Sequence, residues 1–544
     1  MNFNYQLKEG GGYMGMSKEE LMDYLDIDHI TAKLLKQRGI DTEDRLDEML
    51  NRDLNDLSDP NTIPGVYDLI ELIKEHEDGT ITIFGDFDVD GTTSSVILYK
   101  GLKKYKPDMD LHILPGDRYR DGYSLSRESI DLMDEIGTDL IITVDCGISS
   151  HKEIGYAQLL GMDVGIIDHH ESDEPPNVPY VDLKVTQGNY SEQEYSAAGI
   201  TWRFCQALLG DMFTEVLDFV TLSTIADIVP LTGENRIIVR EGLNGIRKGN
   251  CHDSIKALMD RYNIKPEDLV VNDIAFFIGP AINAAGRIGS PKIVIDLFTC
   301  KDTNKCYRLA NRLYQKNEQR KETTKDILKN IQSRVTDSKV IVEKGEMKRG
   351  YVGLVAGKIQ DQYQKPTIIV DPESGKGSAR SMEPFHIYEN LKKCVNEGIV
   401  KNAGGHKMAA GMAIDPENVP LLRDRLSELA EGIEYKVEKE DFVVDIDDIN
   451  QNVVDNLNKF APYGHKFHYP RFKATVKPVD SRLLYSGDHI TFYANGIRCI
   501  AFYQADKYDL FTEDTIDIIF EPTYDTYNEA GGIQLIVREI EKTS

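Results

Sequence analysis

The sequence predicts an α/β protein in three parts: a parallel-sheet domain, a smaller α/β domain reached through one long helix, and a C-terminal barrel of short strands. Three observations predict it. Between about 80 and 170, short apolar runs alternate with helical stretches, the pattern of strands joined by helical crossovers. Residues 301–334 then form a charged helical stretch with ten Lys or Arg against four Asp or Glu. After residue 441 the chain turns to short strands separated by turn signals such as Asn495-Gly496.

At 544 residues the chain is too long for one hydrophobic core. Its 41% hydrophobic and 28% charged residues are those of an ordinary globular protein. No apolar run approaches the ~20 residues that span a bilayer, and Met1–Met16 is polar and Gly-rich. A cytoplasmic location with no membrane partner is therefore expected. Seven cysteines without a CxxC pair offer neither a disulfide framework nor a zinc motif. The net charge of −28 taken as an average disfavours nucleic acid. Cations nevertheless gather in 301–334 and at Arg118, Arg120, Arg287 and Arg380, so a basic groove in an acidic body stays open.

Residues 17–75 read as a helical cap, with Ser17 and Glu20 as a capping box and Leu21, Met22 and Leu25 as its apolar face. Strands are expected at 81–84, 111–114, 140–144 and 164–167, with helices at 92–105, 126–136 and 151–160. Three of these strands end in potential ligands: Asp86, Asp88 and Asp90 after the first, Asp145 after the third, and Asp168-His169-His170 after the fourth. Open parallel sheets bind ligands at the carboxyl ends of their strands, so the clusters should face one crevice. A helix-capping Asp would explain Asp145 taken alone; recurrence at three equivalent positions points to a site. Asp86, Asp88 and Asp90 lie two apart, and in extended chain such side chains share a face, where metal or protonation must relieve their repulsion. Asp227, between Ala226 and Ile228, is a fourth candidate.

Residues 274–291 read as a small-residue loop ending in Arg287, suited either to phosphate or to a tight helix contact. The long helix loses its apolar residues from Gln315 to Asp326, and a helix polar all round bridges domains through solvent. Beyond it, strands are expected at 340–342 and 367–370, a helix at 351–362, and Gly-rich loops at 375–381 and 404–411. In these loops Ser378, Arg380 and backbone amides suit an anion, and His406 could reach a phosphate or base. The last strands, at 472–479, 489–493, 497–503, 515–522 and 533–540, suggest an OB-like barrel. Tyr485, Phe492, Tyr493, Phe502 and Tyr503 are its candidate base-stacking residues, half or more of them expected in the core.

Three metal chemistries fit the opening acids. A calcium loop needs a Glu six residues past Gly91, and that position is Ile97. A phosphatase of the HAD type would use Asp88-Val89-Asp90-Gly91-Thr92 but leaves Asp145 and the His pair without a role. A binuclear site accommodates all of them, and mixed carboxylate and imidazole ligands suit Mn²⁺, or Mg²⁺ more loosely.

The ordered set Asp86-Phe-Asp88-Val-Asp90-Gly91, Val144-Asp145-Cys-Gly147, Asp168-His169-His170, Ser196-Ala-Ala-Gly199, Ala226-Asp227-Ile-Val-Pro230, Asn283-Ala-Ala-Gly-Arg287, Gly377-Ser-Ala-Arg380 and Gly404-Gly-His406 resembles the DHH phosphoesterase superfamily, specifically its RecJ-type single-stranded-DNA exonucleases. The resemblance implies a cap (1–75), a parallel-sheet DHH domain (76–300), a connecting helix (301–335), a smaller DHHA1 substrate domain (336–430) and an OB-like domain (441–544). It implies two Mn²⁺ or Mg²⁺ ions on Asp88, Asp90, Asp145, His169 and Asp227, with Asp86 in or beside the shell. His170 would contact the scissile phosphate and forms the catalytic set with Asp168 and Asp145. Arg118, Ser378 and Arg380 would hold a 5′-terminal phosphate, and Asn283, Arg287, Gly404, Gly405 and His406 complete the substrate set. Three positions depart from the family: Ala281 stands where a basic residue is usual, Ala379 where Gly is usual, and Phe84 where many relatives place a ligand histidine, for which Asp86 would substitute. The implied activity is 5′→3′ exonuclease action on 5′-phosphorylated single-stranded DNA in repair, recombination or replication, with a single-strand-binding protein or helicase as partner. A small-nucleotide (oligonucleotide or cyclic dinucleotide) phosphodiesterase and a catalytically silent DNA-binding scaffold are the alternatives.

Overall fold

The computed structural model describes residues 15–122, 124–185, 193–435, 440–484, 487–525 and 531–543. They divide into two units, one of Ser58–Val229 with Gly242–Lys436 and one of Met1–Leu57 with Pro230–Glu241 and Val437–Ser544.

The first unit contains two sheets. Strands β1 (Thr80–Gly85), β2 (Asp110–Pro115), β3 (Leu140–Val144), β4 (Asp163–Ile167) and β5 (Tyr180–Val181) lie in the order β2-β1-β3-β4-β5, and every pairing is parallel. Strands β1, β3 and β4 are buried almost throughout, which is why they read as continuous apolar runs rather than alternating ones. Gly85 pairs with Val144 and Val144 with Ile167, so three strands end level with one another. The short strand β5 has no signature in the sequence. Helices α1 (Val89–Tyr105), α2 (Ala197–Leu209), α3 (Leu217–Ala226) and α4 (Gly279–Ile288) follow.

Residues 279–288 are therefore helix, preceded by a π-helical stretch at Ile274–Ile278, and not the expected loop. Gly and Ala there permit close packing: a Cβ on Gly286 would lie 2.6 Å from the Phe87 carbonyl oxygen. Helix α5 (Thr303–Gln332) is capped by Asp302 and runs 30 residues, about 45 Å. Its polar middle is not solvated all round. Asn317 and Thr324 are buried, and Asn317 Nδ2 donates to the Tyr262 hydroxyl at 2.8 Å, so a neutral amide takes the place of an apolar contact.

Strand β6 (Ile341–Lys344), helix α6 (Arg349–Tyr363) and strands β7 (Thr367–Val370), β8 (Lys376–Arg380), β9 (Asn402–Gly405) and β10 (Ala409–Ala413) build the second sheet, in the order β6-β7-β8-β10-β9. Both expected Gly-rich loops thus lie largely in strands. A Cβ on Gly377 would lie 3.2 Å from the Ile369 carbonyl oxygen, so glycine here serves tight packing within a sheet.

In the second unit the capping box at Ser17 and Glu20 starts the helix Lys18–Leu25. The expected 1–75 cap does not hold together: 15–57 belong to this unit, while the helix Val66–Glu75 belongs to the first. Ile30 and Leu34 share a core with Leu457, Phe472, Phe520 and Val537, a long-range association that local periodicity does not report. Strands β11 (Phe442–Val443), β12 (Phe472–Val476), β13 (Val479–Leu484), β14 (His489–Ala494), β15 (Ile497–Ala501), β16 (Ile516–Tyr524) and β17 (Ile533–Lys542) form one sheet, in the order β11-β12-β16-β17-β15-β14-β13. Asn495 and Gly496 both take positive φ between β14 and β15, as an Asn-Gly hairpin requires. Of the candidate stacking aromatics, Phe492 is core, Tyr493, Phe502 and Tyr503 are exposed, and Tyr485 lies outside the described residues.

Candidate metal centre

The acids after β1 converge by a strand–turn–helix route rather than by strand alternation. Asp86 follows the strand directly, Asp88 caps α1 by accepting from the Gly91 amide at 3.1 Å, and Asp90 lies in the first helical turn. Only glycine fits position 91, because a Cβ would stand within about 2.6 Å of the Asp86 backbone. The Val89 amide donates to Asn283 Oδ1 on α4 at 3.1 Å. Asn283, expected to touch substrate, is thus engaged in fixing the acid-bearing turn.

Asp90 is buried and points toward α2 and α3. Its Oδ2 accepts from the Ala197 amide at 2.7 Å, and its Oδ1 accepts from the Ala198 amide at 2.8 Å and from Ser223 Oγ at 2.5 Å. The negative carboxylate therefore caps α2, where the helix end favours it.

Three groups of ligand atoms, each within 4.8 Å of one another, result: Asp86 with Asp88 and Asp145; Asp90 with His169 and Asp227; and Asp145 with His169 and His170. Asp145 belongs to two of them and takes the left-handed φ of +60°, uncommon for a residue with a side chain. Its amide donates to the Ile167 carbonyl at 3.0 Å, which ties the end of β3 to that of β4. His169 Nδ1 donates to the Tyr195 carbonyl at 3.2 Å, leaving Nε2, 3.2 Å from Asp145 Oδ1 and 3.7 Å from Asp90 Oδ2, as the nitrogen that faces the acids and could take a metal ion. Asp168 turns away from the cluster. Its Oδ2 accepts from the Ile148 amide, and its Oδ1 accepts from His170 Nδ1 at 2.7 Å. Phe84 is buried among Leu125, Ile130 and Met133 on the apolar side of the sheet.

The electrostatics match a cation seat. Burial first, and neighbouring carboxylates second, push Asp86, Asp145 and Asp227 well above the usual carboxylate range, and Asp88 rises for the same reasons. Burial holds His169 below its ordinary value, which favours the neutral imidazole that a cation would need. Burial opposes the charge on His170, but the Asp168 hydrogen bond and charge outweigh it and raise His170 to about 9. Buried carboxylates that repel one another around a neutral imidazole are the donor set of a hard or borderline divalent ion.

A second cluster forms where the two sheets of this unit meet. Arg118 lies 3.9 Å over the Phe87 ring, and its charge eases the ionisation of Asp86 and Asp88. Arg349 Nη1 donates to the Arg118 carbonyl at 3.0 Å, Tyr119 Oη to the Arg287 carbonyl at 2.9 Å, and Arg287 Nη1 to the Gly350 carbonyl at 3.2 Å. Any Cβ at Gly350 would lie 2.3 Å from the Arg287 oxygen. Arg380 Nη1 donates to Ser378 Oγ at 3.1 Å, and both approach Gly353, one turn along α6. Arg118, Arg287, Ser378 and Arg380 thus gather around the first turns of α6, whose amino end suits an anion. Strand alternation sends Ala379 into the core opposite them, so it does not tighten this seat, and Ala281 is buried on α4. His406 Nδ1 lies 3.6 Å from Glu171, next to His170, while Gly404 is exposed and Gly405 has φ +142°.

Sequence reasoning passed over Ser223, Arg349, Gly350 and Gly353. Ser223 carried a legible signal, since it sits four residues before Asp227 on the same helical face. Gly350 did not, because its close approach is made by a segment 63 residues away.

The comparisons with known proteins agree with this geometry. The description "DHH family, N-terminal domain" matches residues 80–229, "DHHA1 domain" matches 337–432, and "RecJ OB domain" matches 440–539. A curated Bacillus subtilis protein, "Single-stranded-DNA-specific exonuclease RecJ", is 30% identical over 96% of this chain and 69% of its own length. This chain belongs to the RecJ family. RecJ from Thermus thermophilus in complex with Mn²⁺ superposes with a TM-score of 0.83 at 26% identity, covering 98% of this chain and 79% of that one. The same protein in complex with Mg²⁺ gives a TM-score of 0.78 at 24% identity, covering 98% and 78%. The expected architecture of DHH, DHHA1 and OB parts is borne out, and the acid and histidine groups of the RecJ-family centre can hold metal ions. No described helix is long and apolar enough to cross a membrane.

Proposed function

We propose that this RecJ-family chain is a metal-dependent exonuclease that removes nucleotides from the 5′ end of single-stranded DNA. One observation carries the reading. Acids from three separate segments, Asp86 to Asp90, Asp145 and Asp227, meet His169 from a fourth at the level carboxyl ends of β1, β3 and β4, and burial with mutual repulsion suppresses the ionisation of Asp145 and Asp227. These six would hold two Mn²⁺ or Mg²⁺ ions. When bound, such ions supply Lewis-acid charge at the phosphate and a more acidic nucleophilic water.

The protein's own groups then have distinct tasks. Asp168 grips His170 through Nδ1 and turns Nε2 outward to donate to the scissile phosphate. Asp145 belongs to two of the ligand groups, and Asn283 and Ser223 hold the flanking acids still. Arg118, Arg287, Ser378 and Arg380 seat the 5′-terminal phosphate, which sets polarity by admitting one chain end. Gly404, Gly405 and His406 border the same strand. A cytoplasmic role in DNA repair, recombination or replication follows, with a single-strand-binding protein or helicase presenting the strand.

The test uses a single strand labelled separately at each end and bearing a 5′ phosphate. Mn²⁺-dependent release of label from the 5′ end is expected, and Asp145→Ala should abolish it while retaining single-strand binding. Release that begins at the 3′ end, or persists in Asp145→Ala, overturns the assignment. Hydrolysis of dinucleotides in preference to long strands would instead favour a small-nucleotide phosphodiesterase.

A further inference from the structure

Phe276 and Phe277 are adjacent aromatic side chains, 66% and 41% exposed, in the π-helical turn Ile274–Ile278 that leads into α4. Such turns are rare and concentrate at functional sites. No role in the metal centre or the phosphate seat uses them. We propose that Phe276 and Phe277 form a stacking platform for the bases of a single DNA strand on the 3′ side of the scissile phosphate. The proposal rests on the strand orientation proposed above.

Helix α4 supplies the geometry. Near its carboxyl end, Arg287 bonds Gly350 beside the phosphate seat. In its middle, Asn283 holds the Val89 amide next to Asp88. At its amino end, Gly279 packs on Ala226, with a Cβ standing 3.4 Å from that of Ala226, the residue before Asp227. The helix therefore runs alongside the acids from the Arg118 side to the Asp227 side over ten residues, about 15 Å. A strand with its 5′ phosphate at the first end and its scissile phosphate at the acids emerges at the second, where the aromatic pair stands. Ile228, 67% exposed with φ +58°, lies on that side beside Asp227.

The surroundings suit a polyanion with flat bases rather than an apolar protein surface. Phe277 packs on Tyr262 with ring centroids 5.6 Å apart, Tyr262 on Tyr314 at 5.2 Å, and Lys321 Nζ, which also pairs with Glu318 at 2.8 Å, stands 5.9 Å over the Tyr262 ring. Lys321 belongs to the stretch 301–334 with its excess of Lys and Arg. Lys316 on the same helix reaches Gly289, just past the carboxyl end of α4. Aromatic faces flanked by cations that track a backbone are how single strands are held without sequence preference.

Two measurements test the platform. In the first, Phe276→Ala/Phe277→Ala is assayed on 5′-phosphorylated oligodeoxythymidines of increasing length. KM should rise by roughly tenfold for strands long enough to reach the pair, the size of one lost stacking contact. kcat should change little, the penalty should grow with length, and Phe276→Trp/Phe277→Trp should restore KM. A KM unchanged at all lengths, the result expected of a protein-docking surface, or one shifted equally at every length, overturns the platform. In the second, Phe276→Trp is combined with Asp145→Ala. The native chain has one Trp, the buried Trp202, so the new indole reports its own surroundings. Saturable quenching by a long oligodeoxythymidine is expected, and its absence overturns the proposal. A wild-type chain that attacks these strands only from the 3′ end would refute the underlying orientation, a result distinct from either of these.

Discussion

Removing the Ser223 hydroxyl should weaken metal binding about tenfold without unfolding the protein. Asp90 is buried and accepts three close hydrogen bonds, from the Ala197 and Ala198 amides and from Ser223 Oγ, the last at 2.5 Å. A hydrogen bond to a charged partner contributes about 1.5–3 kcal/mol. In Ser223→Ala the two amides remain, so the carboxylate keeps its position but Oδ1 loses one of its two close hydrogen bonds, and the lower end of that range applies. About 1.4 kcal/mol corresponds to a tenfold change in Kd, in line with the effect of losing a partner that orients a ligand. The assay is calorimetric titration of Mn²⁺ into the metal-free protein, with Mn²⁺ half-saturation of nuclease activity as a second readout. Half-saturation within about twofold of wild type, in a variant that unfolds cooperatively at the wild-type temperature, would refute the reasoning.

Three further outcomes are expected. Asp86, Asp145 and Asp227 are held above their ordinary values by burial and then by neighbouring carboxylates, chiefly Asp88 and Asp90. Above about pH 4 the metal-free native state therefore binds more protons than the unfolded chain, and its stability falls as pH rises through the folded values. Mn²⁺ at a hundredfold excess over its Kd at pH 6 adds about 2.7 kcal/mol there, and at that same fixed concentration the deprotonated cluster binds more tightly at pH 8, so scanning calorimetry should find the rise in Tm larger at pH 8 than at pH 6; the opposite order contradicts the repulsive cluster. Arg236→Met should destabilise the unit carrying the OB fold by about 3 kcal/mol in urea titration, since buried Arg236 donates to the Phe460, Ala461 and Pro462 carbonyls at 2.6, 3.1 and 2.6 Å and the variant leaves all three unpaired; a loss under about 1 kcal/mol would show that the carbonyls find other partners. Arg380→Met should reduce the preference for a 5′-phosphorylated over a 5′-hydroxyl strand about tenfold, and an unchanged preference places the seat elsewhere.

Much of the fold was legible because its signals are local. The apolar runs of β1, β3 and β4, the capping box at Ser17 and Glu20 and the Asn-Gly hairpin each act within a few residues. Glycine-rich stretches misled, since glycine permits both a turn and the close approach of neighbouring strands, and at Gly377 it serves the second, against Ile369 of the adjacent strand. The same holds for 279–288, where small residues signalled proximity without naming what comes close. The acids of the site were recognisable by type and by their place after strands. Their division into groups was not, because the first turn of α1 carries Asp90 away from Asp86 and Asp88 toward α2 and α3.

Residue types and short-range spacing thus determined the fold class, the family resemblance and the identity of the clustered acids and histidines, because strand propensity, helix caps and ligand chemistry are properties of neighbours along the chain. The tertiary structure alone decided that Ser223 and two α2 amides hold Asp90 and that Asn283 fixes the acid-bearing turn. It also decided that Ile30 and Leu34 join a core built four hundred residues later, and that α4 runs from the phosphate seat to an aromatic pair. Each of these depends on which distant backbone approaches, and that is settled by burial of the whole chain rather than by any local pattern.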